Sequence, residues 1–235
     1  DLFCERIDKL IDSVTGCDSM IYSCWKKCDI SLRAALYDVY IYLLENRLTD
    51  LGFLSSRLVF IQKGNEQSDS GGFFVRAPNK TRPLCLANVD CKIVSCMVSM
   101  VLSLVCSACI GSCQYGGMPG LQMIDLIFKM EAKIIEYVVR NFHGAGIFAC
   151  DIASAFPSLS RRYMLWVLKR MRLPPKLIRI IRNLHLTSKA FVCIRNRLFN
   201  LILIATGVKQ GDPSAMQLFI LAYDPLIRFI DRALS

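Results

Sequence analysis

Apolar positions recur at helical spacing through most of the chain, and only a few short segments carry strand-like runs. Residues 31–47 read as a helix, with Leu32, Leu36, Val39, Tyr40 and Leu43 on one face. Residues 90–109 and 121–140 read as two more helices, and 58–61 as strand. The polar, glycine-bearing stretch 64–81 predicts the turn of a long hairpin spanning 57–84. Gly144-Ala145-Gly146 then breaks the pattern, and 147–150 reads as a short buried strand. Ser160 is placed to cap a helix reaching Arg172, and Pro174-Pro175 restarts a second helix to Leu186. Residues 190–194 and 198–204 form a hairpin turning at Arg195-Asn196-Arg197, and 214–234 is a final helix. No internal repeat is visible. Helices and strands mix without regular alternation, which predicts an α+β fold, helix-rich with a small antiparallel sheet. The 235 residues suffice for one large or two small domains with a proper core.

One apolar run raises a membrane span, because residues 93–124 carry no charge. Ser95, Ser99, Ser103 and Ser107 recur every four residues and draw a polar stripe along the helix. Gly111, Gly116, Gly117, Pro119 and Gly120 then interrupt the run, and basic flanks are sparse. A buried core helix followed by a glycine-rich loop is therefore expected, and no membrane partner.

Charge changes the picture more than composition does. The formal net charge is +10, which favours an anionic partner. It is unevenly placed, since 152–211 has no acidic residue but carries Arg161, Arg162, Lys169, Arg170 and Lys209 among its cations. Such clustering suits neutralisation of a phosphate backbone. The twelve cysteines lack a signal peptide before them, and several fall in apolar helical stretches. They read as reduced, buried thiols rather than a disulfide framework. Cys106, Cys109 and Cys113 have no second ligand pair at finger-like spacing, and His143 and His185 are far away in sequence. The chain reads as intracellular, nuclear or cytoplasmic, with no obligate protein partner.

The chemistry-bearing positions are few. Asp151 ends the apolar run 147–150, where a carboxylate can hold a divalent ion such as Mg²⁺. A turn or helix-capping aspartate would look the same. Gly207 and Gly211 bracket Val208-Lys209-Gln210 and would let backbone approach a ligand closely, with Gln210 offering an amide and Pro213 opening the next helix. An ordinary hairpin-to-helix loop has the same composition. Lys63 and Arg82 flank the polar loop and would face each other across the hairpin, where two cations can clamp a triphosphate.

In this order the segments resemble the reverse transcriptase of non-LTR (LINE-like) retrotransposons. Gly16-Cys17-Asp18-Ser19-Met20-Ile21 is similar to the family's Gly-Pro-Asp-Gly-Ile-Pro segment, and Leu58–Gly64 to its Ile-Pro-Lys finger strand. Thr81-Arg82-Pro83-Leu84-Cys85-Leu86-Ala87-Asn88-Val89-Asp90 resembles Arg-Pro-Ile-Ser-Leu-Leu-Asn-x-Asp, and Gln114–Gly120 the Gln-x-Gly-Phe-x-x-Gly loop. The resemblance implies a right-handed polymerase: fingers over 1–145, with an apolar fingers helix at 90–110, and part of a palm over 146–235. It implies that Asp151 is a catalytic, metal-binding aspartate, and that Phe156 lies under the sugar of the incoming nucleotide. Gln210 and Gly211 would line the nucleotide pocket, and Lys63 and Arg82 would hold the triphosphate. Arg161, Arg162, Lys169, Arg170 and Lys209 would run along nucleic acid. The reaction implied is RNA-templated DNA synthesis with Mg²⁺ or Mn²⁺, taking an RNA template, a DNA primer and deoxynucleoside triphosphates.

The sequence also departs from the family pattern. Pro157 follows the gate aromatic where many relatives carry a second aspartate, and Asp212 replaces a common cysteine. Cys17, Ser19 and Ile21 stand where relatives have Pro, Gly and Pro. The family's aromatic-Ala-Asp-Asp turn would fall beyond Ser235. With Asp151 alone, weak metal binding and no polymerisation by this polypeptide are expected, together with an exposed sheet edge beside 147–151. The alternative is a catalytically dead remnant of a retroelement that still binds nucleic acid.

Overall fold

The computed structural model describes residues 2–46, 52–64, 77, 80–140, 146, 147, 149–186, 188–195 and 197–234. The expected hairpin turn lies mostly outside these residues, as do Arg47, Gly144, Ala145, Phe148 and Asn196.

Three helices open the chain: α1 (Leu2–Lys9), α2 (Tyr22–Lys27) and α3 (Ile30–Glu45). The Asp29 carboxylate caps α3 by accepting from Ile30 N at 2.7 Å. Of the five residues expected on one face of α3, Leu36 and Leu43 are buried while Leu32 and Val39 stay exposed. Strands β1 (Ser55–Gln62) and β2 (Thr81–Ala87) form an antiparallel hairpin in which Ile61 faces Arg82. Helices α4 (Val89–Cys109) and α5 (Met123–Val139) follow, then the short α6 (Ala155–Ser158), α7 (Arg161–Arg170) and α8 (Pro175–Leu186). Strands β3 (Lys189–Ile194) and β4 (Arg197–Leu203) and helix α9 (Ala215–Leu234) complete the order. The fold is α+β.

The four described strands lie in one sheet, ordered β2-β1-β3-β4. The pairing of β1 with β3 is parallel, Ser56 beside Ala190, so the sheet is mixed rather than antiparallel throughout. Local hairpins make the two outer pairings antiparallel, but β1 and β3 come from distant parts of the chain and meet with the same direction. Of the expected 147–150 strand, the described residues Ile147, Ala149 and Cys150 are exposed coil. A strand needs a hydrogen-bonding neighbour, and none of the four described strands pairs with these residues.

The core gathers on α4. Ile93, Val94, Val98 and Leu102 are buried with Ile180, Ile181 and Leu184 of α8 and Leu218 and Leu221 of α9. Although α4 is long and apolar enough to cross a membrane, over half of its most apolar stretch is buried inside the protein. The serine stripe has two uses. Ser103 and Ser107 donate to the carbonyls one turn back, at 2.9 and 3.0 Å, while Ser95 faces the interior. The start of α4 is fixed by the N-terminal segment. The Asp18 carboxylate accepts from Val89 N at 3.2 Å, and the Asn88 side chain accepts from Cys17 N at 2.9 Å. All twelve cysteines are free; Cys85, Cys91, Cys96 and Cys106 are buried. By contrast α5 buries no residue, and Ile127, Phe128, Ile135 and Val138 are exposed.

Candidate nucleotide and nucleic-acid site

The turn at 207–213 organises the site. Gly207 takes a positive φ of 73° and Gly211 one of 100°, conformations open to glycine and strained for other residues. Gly207 N donates to Leu159 O at 2.9 Å and Val208 N to Phe156 O at 3.0 Å, which locks the turn onto α6. On its other side Cys85 N donates to Gln210 O at 2.9 Å, which ties the turn to β2. A Cβ on Gly211 would sit 2.8 Å from Cys85 O, so the approach to β2 is close. The turn is thereby tied to Phe156 through Val208 and to β2 through Gln210 and Gly211. Phe156 is half-buried, its ring centroid 5.1 Å from that of Phe219 on α9.

Arg82 is exposed on β2, three residues before Cys85, and Lys63 N donates to Lys80 O at 3.0 Å where the hairpin opens. The two cations therefore flank the same end of the β1–β2 hairpin. Asp151 is exposed on the coil that leads into α6. No group of three or more His, Cys, Asp or Glu side chains able to hold a metal ion exists among the described residues. Among the described residues Asp151 offers a single carboxylate toward a divalent ion.

Two expected nucleic-acid contacts turn out to be internal. Arg161 is only 4% exposed; its Nε donates to Gly207 O at 2.7 Å and its Nη1 to Ile204 O at 2.6 Å. It clamps the turn from beneath, and its guanidinium is committed to carbonyls that would otherwise be left unsatisfied. Lys209 is 2% exposed. Neither reaches solvent, whereas Arg162, Lys169 and Arg170 are exposed on α7.

Sequence reasoning passed over the polar cluster under the turn. Asp212 Oδ1 accepts from Ser95 Oγ at 2.6 Å, Ser214 Oγ at 2.7 Å and Ser214 N at 2.9 Å. His185 Nε2 lies 3.4 Å from Ser214 Oγ. The cluster joins α4, α8, the turn and the start of α9. Its one legible signal was Asp212 itself, the acid that ends a long run of cations.

Burial holds the His185 imidazole down, to about 4, with Asp212 opposing the shift and Lys209 and Arg161 adding to it. Burial also pushes the Asp90 carboxyl up to about 6 at the start of α4. These shifts act on stability in opposite directions. Between pH ~6.5 and ~4 the unfolded chain protonates His185 and the fold does not, so acidification costs stability. Over nearly the same window the fold protonates Asp90 and the unfolded chain does not, so acidification adds stability. The two effects oppose each other across this window. We therefore expect His185→Gln to gain stability relative to the parent chain as pH falls from 7 to 4.5, and Asp90→Asn to lose it. Urea denaturation at the two pH values measures this; variants that track the parent at both would refute it.

A profile of the reverse transcriptase (RNA-dependent DNA polymerase) family matches residues 61–234. The chain is also 24% identical, over 154 residues, to the "Transposon TX1 uncharacterized 149 kDa protein" of Xenopus laevis. That alignment covers 66% of this chain and 12% of the relative, so the chain spans about an eighth of that protein's length. The family match takes in β2, α6, the 207–213 turn and α9, the same elements that the turn's hydrogen bonds bring together, and the chain belongs to the reverse transcriptase family.

Proposed function

We propose that this chain is the nucleotide- and template-holding part of a retroelement reverse transcriptase, acting in RNA-directed DNA synthesis. In this reading residues 1–145 are the fingers and 146–235 part of the palm. The observation that supports it is the 207–213 turn, held to Phe156 O through Val208 N and to Cys85 N of β2 through Gln210 O. The Phe156 ring would lie under the sugar of an incoming deoxynucleotide. Gly211 gives the close backbone approach, and Gln210 a donor and acceptor beside the base. Arg82 would hold the triphosphate bidentately and Lys63 as a point charge. Exposed Arg162, Lys169 and Arg170 would neutralise phosphates of the template–primer. Asp151 would contribute one carboxylate toward the divalent ion, Mg²⁺ or Mn²⁺, with which such polymerases work.

The missing ligand cluster among the described residues favours a second reading for the 235-residue polypeptide alone, namely binding without chemistry. Primer extension on an RNA template with Mg²⁺ or Mn²⁺ separates the two. The expected outcome is a bound but unextended primer, with binding of a fluorescent deoxynucleoside triphosphate weakened in Lys63→Ala and Arg82→Ala. Extension that disappears in Asp151→Ala would instead show a complete catalytic site and overturn the second reading. Nucleotide binding unchanged in both cation variants would remove Lys63 and Arg82 from the site.

A further inference from the structure

The outer face of α7 carries an unusual combination of groups. Its inner face is spent on the core, with Arg161, Met164, Val167 and Leu168 buried. At 100° per residue Trp166 falls at the centre of the opposite face, with Arg162 and Lys169 to one side and Tyr163 and Arg170 to the other. Trp166 is 53% exposed and Tyr163 39%. Their rings stack at 6.1 Å between centroids, 23° from parallel. The Arg170 guanidinium carbon lies 5.5 Å from the Trp166 ring centroid. Tyr163 is about one turn before Trp166 and Arg170 one turn after, so three flat groups form a ladder along the helix.

Beside the ladder, a depression of about 500 Å³ between α7 and α8 is floored by Leu165, Leu173 and Ile178 and rimmed by Lys169, Arg179 and Arg182. Arg179 is partly engaged, its Nη1 lying 3.9 Å from Glu45 Oε2. Lys169 and Arg182 remain exposed on the rim. Flat π faces with clustered cations and no acid in 152–211 are the chemistry that holds unpaired bases and their phosphates together. A duplex offers the phosphates but keeps its base faces stacked. An acidic protein segment would satisfy the cations and leave the ring faces without a matched partner.

We propose that the outer face of α7, with Trp166 as its anchor, is a stacking platform for single-stranded nucleic acid. The strand's bases stack on the Tyr163–Trp166–Arg170 ladder, and its phosphates follow Arg162, Lys169 and Arg182. The platform rests on the nucleic-acid reading above and shares its α7 cations, but is built on α7 rather than on the 207–213 turn.

Trp166 reports on itself. The chain has two tryptophans, so Trp25→Phe leaves Trp166 as the sole emitter. Single-stranded RNA and DNA of one sequence, each roughly a dozen nucleotides, are titrated separately, and the tighter of the two identifies the natural strand. The expected result is quenching of Trp166 emission by the strands but not by heparin, a polyanion without bases. Trp166→Ala in the natural background should weaken single-strand binding roughly tenfold at an unchanged melting temperature. Arg170→Ala should weaken it less. Single-strand binding unaffected by Trp166→Ala, or polyglutamate binding with the same dependence on Trp166, overturns the platform. If the RNA–DNA template–primer still binds in that case, the family reading stands; if no nucleic acid binds in any arm, both fall.

Discussion

Asp212→Ala is expected to destabilise the fold by about 3–5 kcal/mol, the range for removing one partner from a buried charged network. In a domain of this size that lowers the melting temperature by roughly 10 °C. Burial alone would raise the Asp212 carboxyl; His185, Lys209 and the hydroxyls of Ser95 and Ser214 oppose it, and the net shift is downward. The carboxylate is therefore ionised at neutral pH. Alanine would leave Ser214 N without its acceptor and would take from Ser95 Oγ and Ser214 Oγ the carboxylate oxygen they share, inside the protein. It would also remove the negative charge near Lys209, which is buried. Asp212→Asn retains an acceptor for those donors but loses the charge, so it should fall between the parent and alanine. Denaturant melts of the three proteins check the order. Asp212→Ala melting with the parent chain would mean that the cluster does not hold the turn to α4.

The second large effect belongs to Gly207. A Cβ there would lie 2.6 Å from Phe156 O, Pro157 Cα and Pro157 O, all backbone atoms. Its φ of 73° adds left-handed strain of about 1–2 kcal/mol for a residue with a side chain. Relieving the clash means parting the turn from α6, which breaks the bonds from Gly207 N and Val208 N and loosens the Arg161 clamp. We expect Gly207→Ala to cost roughly 2–5 kcal/mol and, under the proposed function, to abolish nucleotide binding because the turn parts from Phe156. Gly120→Ala is the control. Gly120 has a φ of 77° but nothing within 4 Å of its Cβ position, so it carries the strain without the clash. Equal losses in the two variants would show that strain alone accounts for Gly207.

Local chemistry made most elements legible. Ser160 caps α7 by accepting from Tyr163 N at 3.3 Å, and Pro175 opens α8. The β3–β4 hairpin turns where Arg195 takes a positive φ of 49°. Non-local pairings were harder to read. Nothing in the composition of 147–150 says whether a neighbouring strand exists to complete its hydrogen bonds. The parallel meeting of β1 with β3 joins residues more than a hundred positions apart. The short helices α1 and α2 were not anticipated, since each is too short for its apolar spacing to stand out. Within the site, the glycines at 207 and 211 and the hairpin cations stood out because backbone freedom and charge are written in residue type. The roles of Arg161 and His185 were hidden, because a buried arginine and a surface arginine are the same letter. Burial turned Arg161 from a presumed phosphate contact into a support for the turn and took Lys209 away from solvent.

The most direct test of the nucleic-acid reading is a salt titration of an RNA–DNA template–primer against the 235-residue polypeptide. Exposed Arg162, Lys169 and Arg170 should each release a counterion on binding. The expected result is log affinity falling linearly with log salt, with a slope of about −2 to −3 from these residues alone. Substituting any one of them with alanine should make the slope shallower by about one. Affinity that does not change with salt, or no binding at low salt, would contradict the assignment of this chain to nucleic-acid binding.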